Sequence, residues 1–255
     1  MLTAHGLRKS YGGVLALQSL TFTVRPGQTV GLLGPNGSGK STTINMLTGL
    51  IHPSSGVVSW QGVDIHQQLG VYQARLGYVP EEPRLYAYLS APEYLRLVGG
   101  LRDIDRAVLD RRIGRYLELF GLESDRFAPL SSFSKGMRQK VLIAAALLHD
   151  PAVVVFDEPC SGLDVASTLM LRSLVRTLAE AGKVIVYSSH VLDMVEKVCT
   201  DVIILHHGVV VAQDSVSRLR ELAAAASLED VFAQLAVDAN VEATGRELAG
   251  VGTLC

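Results

Sequence analysis

The chain has 255 residues, 48% of them hydrophobic and 19% charged, with a formal net charge of −2 at pH 7. That apolar content suffices for one large domain, or a core with an inserted subdomain, and excludes an intrinsically disordered polymer. The near-neutral charge lacks the basic field on which phosphate-neutralising binders depend, so no nucleic-acid partner is expected.

The opening MLTAHGLRKSYGG carries no apolar stretch of the signal-peptide kind, and the first 30 residues read as short strands. Residues 20–24 alternate inside and outside, and Pro26-Gly27 turns the chain into a compact apolar run at 29–33. That run stops at the loop GPNGSGKST. Residues 42–50 then have helical spacing, ending near Gly49. Strand, glycine loop and helix is the order a phosphate-binding βα unit requires.

From about Pro83 to Asp150 the texture changes to helical periodicity, as in Ile113, Tyr116-Leu117 and Phe120, which stops at Gly121. This stretch is predicted to be a mainly helical insertion. Strand character returns at 152–156, 184–188 and 202–205, with helices predicted over 165–181 and 191–197. Strands and helices alternating at this length imply a parallel sheet covered by helices. Residues 1–222 are expected to form one domain with its helical subdomain at about 83–150, and 223–255 a short helical extension. In the latter, Ser227-Leu228-Glu229-Asp230 reads as a capping box opening a short amphipathic helix through Leu235, and the last 20 residues read as mobile. The longest apolar runs, 141–148 and 152–156, are too short to cross a bilayer. Cys160, Cys199 and Cys255 have neither disulfide-framework nor zinc spacing, which suits a reducing compartment.

Residues 34–41, Gly34-Pro35-Asn36-Gly37-Ser38-Gly39-Lys40-Ser41, fit G-x-x-x-x-G-K-[ST] without a mismatch, and Thr42 continues the segment. The glycines let backbone N–H groups converge on phosphate oxygens. Lys40 supplies a cation for the β- and γ-phosphates, and the Ser41 hydroxyl is a Mg²⁺ ligand. The second half of such a site is an acid at the end of another parallel strand. Val153-Val154-Val155-Phe156-Asp157-Glu158 supplies it, Asp157 placed to hold Mg²⁺ and Glu158 to polarise the attacking water. ATP and Mg²⁺ are therefore the expected ligands.

With these motifs the chain resembles the ATP-binding cassette (ABC) ATPases from about Leu2 to Leu222. Phe133-Ser134-Lys135-Gly136-Met137-Arg138-Gln139 resembles that family's signature, commonly LSGGQ; here the serine and second glycine remain, and Lys135 adds positive charge near where a γ-phosphate would sit. The resemblance implies a phosphate-loop α/β fold with a mainly parallel sheet, an N-terminal antiparallel β subdomain and an inserted helical subdomain. It assigns Tyr11 to adenine stacking, Ser161-Gly162-Leu163-Asp164 to a loop that crosses to a partner cassette, and His190 to the γ-phosphate. Glu81 stands where the family often has a Mg²⁺-sensing glutamine, so a metal role through its carboxylate is open. His5, His52, His66, His149, His206 and His207 read as surface or packing residues, and Cys160 as a packing residue.

Resemblance further implies head-to-tail pairing, as a homodimer or with a paralogous cassette, each ATP held between one chain's phosphate loop and the other's Ser134 and Gly136. An integral membrane permease is the implied second partner, its helix received near residues 81–88 with Tyr86, Tyr88 and Leu89 as contacts or as packing. The expected function is ATP hydrolysis powering transport, on the cytoplasmic face of the membrane. Export is favoured by the SKGM signature, the Pro-Glu-Glu after Val79 and the C-terminal Leu-Glu-Asp-Val-Phe. Repair and chromosome ATPases interrupt the signature with long coiled coils, and translation cassettes usually carry two cassettes and a basic linker. A small-molecule kinase needs neither the signature nor the 161–164 loop.

Overall fold

Apolar positions two apart dictate the first strands. Leu2–Tyr11 (β1) and Val14–Val24 (β2) bury Leu2, Ala4, Leu7, Leu17, Leu20, Phe22 and Val24 and pair antiparallel. The computed structural model describes residues 1–222 together with Ser227, Leu228, Asp230 and Phe232. In chain order there follow Thr29–Leu33 (β3), Lys40–Leu47 (α1), Ser55–Trp60 (β4), Val63–Asp64 (β5), Leu69–Gln73 (α2) and Leu76–Val79 (β6). Ala91–Gly100 (α3), Arg106–Leu119 (α4) and Lys135–Leu147 (α5) then precede Val153–Asp157 (β7). Val165–Glu180 (α6), Val184–Ser188 (β8), Leu192–Val198 (α7), Asp201–His206 (β9), Val209–Ser215 (β10) and Val216–Leu222 (α8) complete the described elements.

Two sheets result. One is antiparallel, in the order β2-β1-β4-β5; the other runs β10-β9-β3-β8-β7-β6 and is parallel except for the edge strand β10. This is the expected α/β architecture. Burial on both faces explains why the central strands read as unbroken apolar runs. Val154, Phe156, Ile185 and Tyr187 point into the core shared with α5, α6 and α7. Val153, Val155, Val184 and Val186 point into the core shared with β1, β2 and α1.

The stretch between β6 and β7 is built of helices, short 3-10 turns and loops. Ser90 and Glu93 form a capping box at α3, and Asp105 caps α4 through the N–H groups of Ala107 (3.0 Å) and Val108 (3.1 Å). The apolar run 141–148 is the buried C-terminal part of α5 and the residue that follows it.

Four strands were not expected, the two-residue β5 among them. β6 hides behind Gly77, where a Cβ would lie 2.4 Å from Ala146 O of α5, so the close approach of that helix removes a side chain from the pattern. β4 and β10 keep most of their residues half-buried or exposed, which blurs alternation. At residue 227 the capping box forms: Asp230 N–H donates to Ser227 Oγ (3.2 Å) and Ser227 N–H to Asp230 Oδ2 (3.0 Å). Leu228 is buried, its N–H donating to Glu196 Oε2 at 3.0 Å. The helix read through Leu235 and the tail read as mobile lie outside the described residues.

Candidate nucleotide-binding and hydrolysis site

β3 delivers the chain, wholly buried, to the loop at residues 34–39, and α1 begins at Lys40 with Gly39 as its N-cap. Gly39 has φ +106, and a Cβ there would stand 2.8 Å from Ala16 O of β2. Glycine is thus required twice over, by the left-handed backbone and by the neighbouring strand. The turn at Gly208 clasps the same loop: Gly208 N–H donates to Ser38 O (3.1 Å) and Gln18 N–H to Gly208 O (2.7 Å). Because no side chain caps α1, its first-turn N–H groups and the positive end of its dipole serve the loop itself.

Lys40 is buried, and its ammonium donates to Gly34 O (2.6 Å) and Pro35 O (3.2 Å). Burial draws its pKa below the usual lysine value, while the carboxylates of Glu158, Asp157 and Glu81 pull the other way. Asp157, at the end of β7, is raised above the usual carboxylate value chiefly by burial; Ser188 Oγ–H, donating to its Oδ1 at 2.8 Å, opposes this. Tyr78 of β6 is pushed up to about 12 by burial and then by Asp157 and Glu81, so its phenol stays neutral beside the carboxylates.

Glu158 follows with φ +46, a left-handed conformation that costs a non-glycine residue about 1–3 kcal/mol and concentrates at functional sites. Its N–H donates to Ser188 O and its C=O accepts from Ser161 N–H, both at 3.1 Å. The buried carboxylate lies 2.8 Å from His190 Nδ1 and 3.4 Å from the Ser189 hydroxyl, which donates to it. With Nδ1 facing Glu158, Nε2 is the nitrogen that remains for a phosphate, and it donates only when the ring is protonated.

A cleft of about 550 Å³ unites these groups, lined by Asn36, Gly37, Gly39, Lys40, Ser41, Thr42, Glu81, Asp157, Glu158 and His190, and by Ala16. Ala16, along with the hydroxyls of Ser188 and Ser189 behind the carboxylates, escaped sequence reasoning, because the packing of β2 on the loop and the pairing of β7 with β8 bring them in from distant segments. Ser38 is buried under the loop, and Gly34 and Pro35 turn their carbonyls to Lys40. Tyr11, Ser134, Gly136 and Asp164 do not line the cleft. Tyr11 is 47% exposed at the end of β1, with the Lys9 ammonium 5.1 Å from its ring centroid. A larger hollow of about 970 Å³, lined by residues such as Leu50, Val71, Leu101 and Arg102, holds none of the phosphate-loop residues.

The signature segment sits elsewhere. Ser134 caps α5, its Oγ accepting from Met137 N–H at 3.2 Å, and Asp164 caps α6 by accepting from Ser167 N–H at 2.7 Å. Lys135, expected to add charge near a γ-phosphate, donates to Ser161 Oγ at 2.6 Å within its own chain. A Cβ at Gly136 would lie 2.5 Å from Gly162 O. Gly136→Ala is therefore expected to force the two backbones apart at a cost of about 1–3 kcal/mol, read as a lower Tm; an unchanged Tm would show that the contact is slack.

A glycine-bounded loop after a parallel strand, a buried lysine and two carboxylates at the end of β7, one strand removed from β3 in the same sheet, define a phosphate-loop ATPase. Residues 17–161 match the ABC transporter family, and the chain belongs to it. The ABC transporter ATP-binding protein NatA of Bacillus subtilis (strain 168) is 36% identical over 220 residues, 86% of this chain and 89% of that protein. The Nod factor export ATP-binding protein I of Ralstonia nicotianae is 35% identical over 213 residues, covering 84% and 66%. Among solved structures, an ATP-binding subunit of an ABC transporter superposes with TM-score 0.86 at 34% identity, covering 92% of this chain and 98% of that one. A dimeric structure of MJ0796, a bacterial ABC transporter cassette, gives TM-score 0.77 at 26% identity, covering 84% and 98%. The chain is an ATP-binding, ATP-hydrolysing subunit of an ABC transporter, and among its described residues no helix is long and apolar enough to cross a membrane.

Proposed function

We propose that this subunit drives export through a separate membrane permease by pairing head to tail with a second cassette around two ATP molecules. The observation that carries the pairing is the division of the site. The cleft gathers the phosphate loop, Asp157, Glu158 and His190 but not Ser134, Gly136 or Asp164, so a second chain must bring its own signature to the first chain's ATP. The dimeric relative supports this reading. Export rests on the SKGM signature and on the relative named for Nod factor export.

The residues fit ATP: loop and helix N–H groups face a cleft of suitable size, and Lys40 stands at its wall. They also fit Mg²⁺, since the Ser41 hydroxyl and the Asp157 carboxylate are hard oxygen donors. Among the described residues no three acidic, histidine or cysteine side chains form a ready-made metal group. Mg²⁺ commonly keeps waters and shares substrate phosphates, so few protein donors suffice, and Glu81, which lines the same cleft, is a further candidate oxygen donor. Bound Mg²⁺ would neutralise charge on the phosphates. Lys40 then orients the β- and γ-phosphates, Glu158 accepts a proton from the attacking water, and His190 fixes the Glu158 carboxylate. Loss of the γ-phosphate lets the pair separate.

The groove between the core and the helical stretch is the proposed seat of a permease helix. Tyr86 and Tyr88, exposed at 54% and 76%, offer large apolar surface for such a contact. Attachment there would hold the subunit peripherally on the cytoplasmic face.

Light scattering of Glu158→Gln tests the pairing. A dimer should appear with ATP, vanish without it, and fail to form when Ser134→Ala is added; a dimer indifferent to Ser134 would remove the signature from the site. Tyr11→Ala is expected to weaken ATP binding by about 1 kcal/mol, roughly fivefold in Kd, if its ring stacks on adenine. Equal affinity by titration calorimetry would return Tyr11 to the surface.

A further inference from the structure

Lys135 is the largest departure from the common signature, and its side chain has a defined partner. Its ammonium donates to Ser161 Oγ at 2.6 Å, and its alkyl stem lies over Gly162, where an added Cβ would meet Lys135 Cγ at 2.8 Å and Cδ at 2.9 Å. Ser161 N–H in turn donates to Glu158 O at 3.1 Å, closing the turn that holds Glu158 at φ +46. A continuous path thus runs from the first residue of α5, through one side-chain and one backbone hydrogen bond, to the strained backbone of the residue that faces the attacking water. Glycine at position 135 would have no side chain with which to make it.

We infer that Lys135 is a positioning residue which, through Ser161, sets the backbone of Glu158 in its own chain and so couples the signature segment to hydrolysis. The inference rests on the paired-cassette reading. When Ser134 and Gly136 engage the partner's ATP, the N-terminus of α5 is fixed, and Lys135 transmits that constraint to Glu158 in the other site of the pair. The site facing a partner and the site hydrolysing ATP then act together, and turnover is cooperative in ATP. The alternative, a direct contact of the ammonium with the partner's γ-phosphate, leaves Ser161 out.

A double-mutant cycle on steady-state ATP hydrolysis separates the two. Lys135→Ala is expected to lower kcat by about threefold to fivefold with little change in KM, the scale of one exposed charge-assisted hydrogen bond, and to reduce the Hill coefficient for ATP toward 1. Ser161→Ala should reproduce both effects, the double variant should be no worse than either single, and Lys135→Arg should recover most of the loss. Multiplicative losses in the double variant, or a kcat and Hill coefficient unmoved by Lys135→Ala, would overturn the proposal. ATP-induced dimerisation of Glu158→Gln is the control. If that protein stays monomeric, the paired reading fails and the inference falls with it; if it dimerises while the losses multiply, only the Lys135 link fails.

Discussion

Glu158→Gln should bind ATP with wild-type affinity and lose about 10²–10⁴-fold in kcat, the range for removal of a general base. The substitution keeps the shape, and an amide can still occupy the space between His190 Nδ1 and the Ser189 hydroxyl, which lie 2.8 and 3.4 Å from the carboxylate. What disappears is the basic lone pair able to take a proton from water. The positive φ of Glu158 is a backbone property held by the hydrogen bonds to Ser188 and Ser161, so geometry survives and chemistry does not. Single-turnover hydrolysis measured beside calorimetric ATP binding reads both halves of the expectation. A fall in affinity that matches the fall in rate would make Glu158 a binding residue; an unchanged rate would remove it from the reaction.

His190→Ala should fall short of that loss. Its ring positions the Glu158 carboxylate and is itself largely exposed, so water can replace part of the interaction. The difference between the two variants measures how much of the rate depends on the base and how much on holding it still.

The parts of this molecule that were legible in the sequence are those whose physics is local. The runs at β7 and β8 are apolar because the sheet is covered on both sides, and their ends fall within a residue of where the pattern places them. The loop at 34–41 is legible because its glycines, lysine and serine are set by the shape of a phosphate. The capping box at Ser227 was legible because Ser227 and Asp230 side chains meet free backbone N–H groups. By contrast, β4, β5, β6 and β10 were not seen, since very short, half-exposed or glycine-containing strands lack a clear period. Contacts made across elements were also hidden. Ser188 to Asp157 spans 31 residues and Lys135 to Ser161 spans 26, and nothing in either segment alone announces the pairing. Lys135 shows the consequence: the sequence suggests a charge for the phosphate and gives no sign that the ammonium also has Ser161 as a partner.

Lys40→Ala is the substitution expected to cost most in binding, about 10²-fold or more in Kd for ATP. Hydrogen bonds to a charged group are worth about 1.5–3 kcal/mol each, and a lysine serving two phosphates makes more than one. The cleft amplifies the loss. Among its lining residues Lys40 carries the one ammonium, against the carboxylates of Glu81, Asp157 and Glu158. With Lys40 gone the polyanionic substrate meets an acidic wall. Stability should change less than affinity, because the ammonium's partners, Gly34 O and Pro35 O, are loop carbonyls and the pKa of Lys40 is already drawn down by burial. A charged lysine at this place is therefore somewhat costly to the fold, as expected of a group retained for its ligand. Calorimetric titration with a non-hydrolysable ATP analogue, alongside the Tm, separates the outcomes: weak binding at a near-normal Tm supports the assignment, while normal affinity would mean that the loop N–H groups alone hold the phosphates.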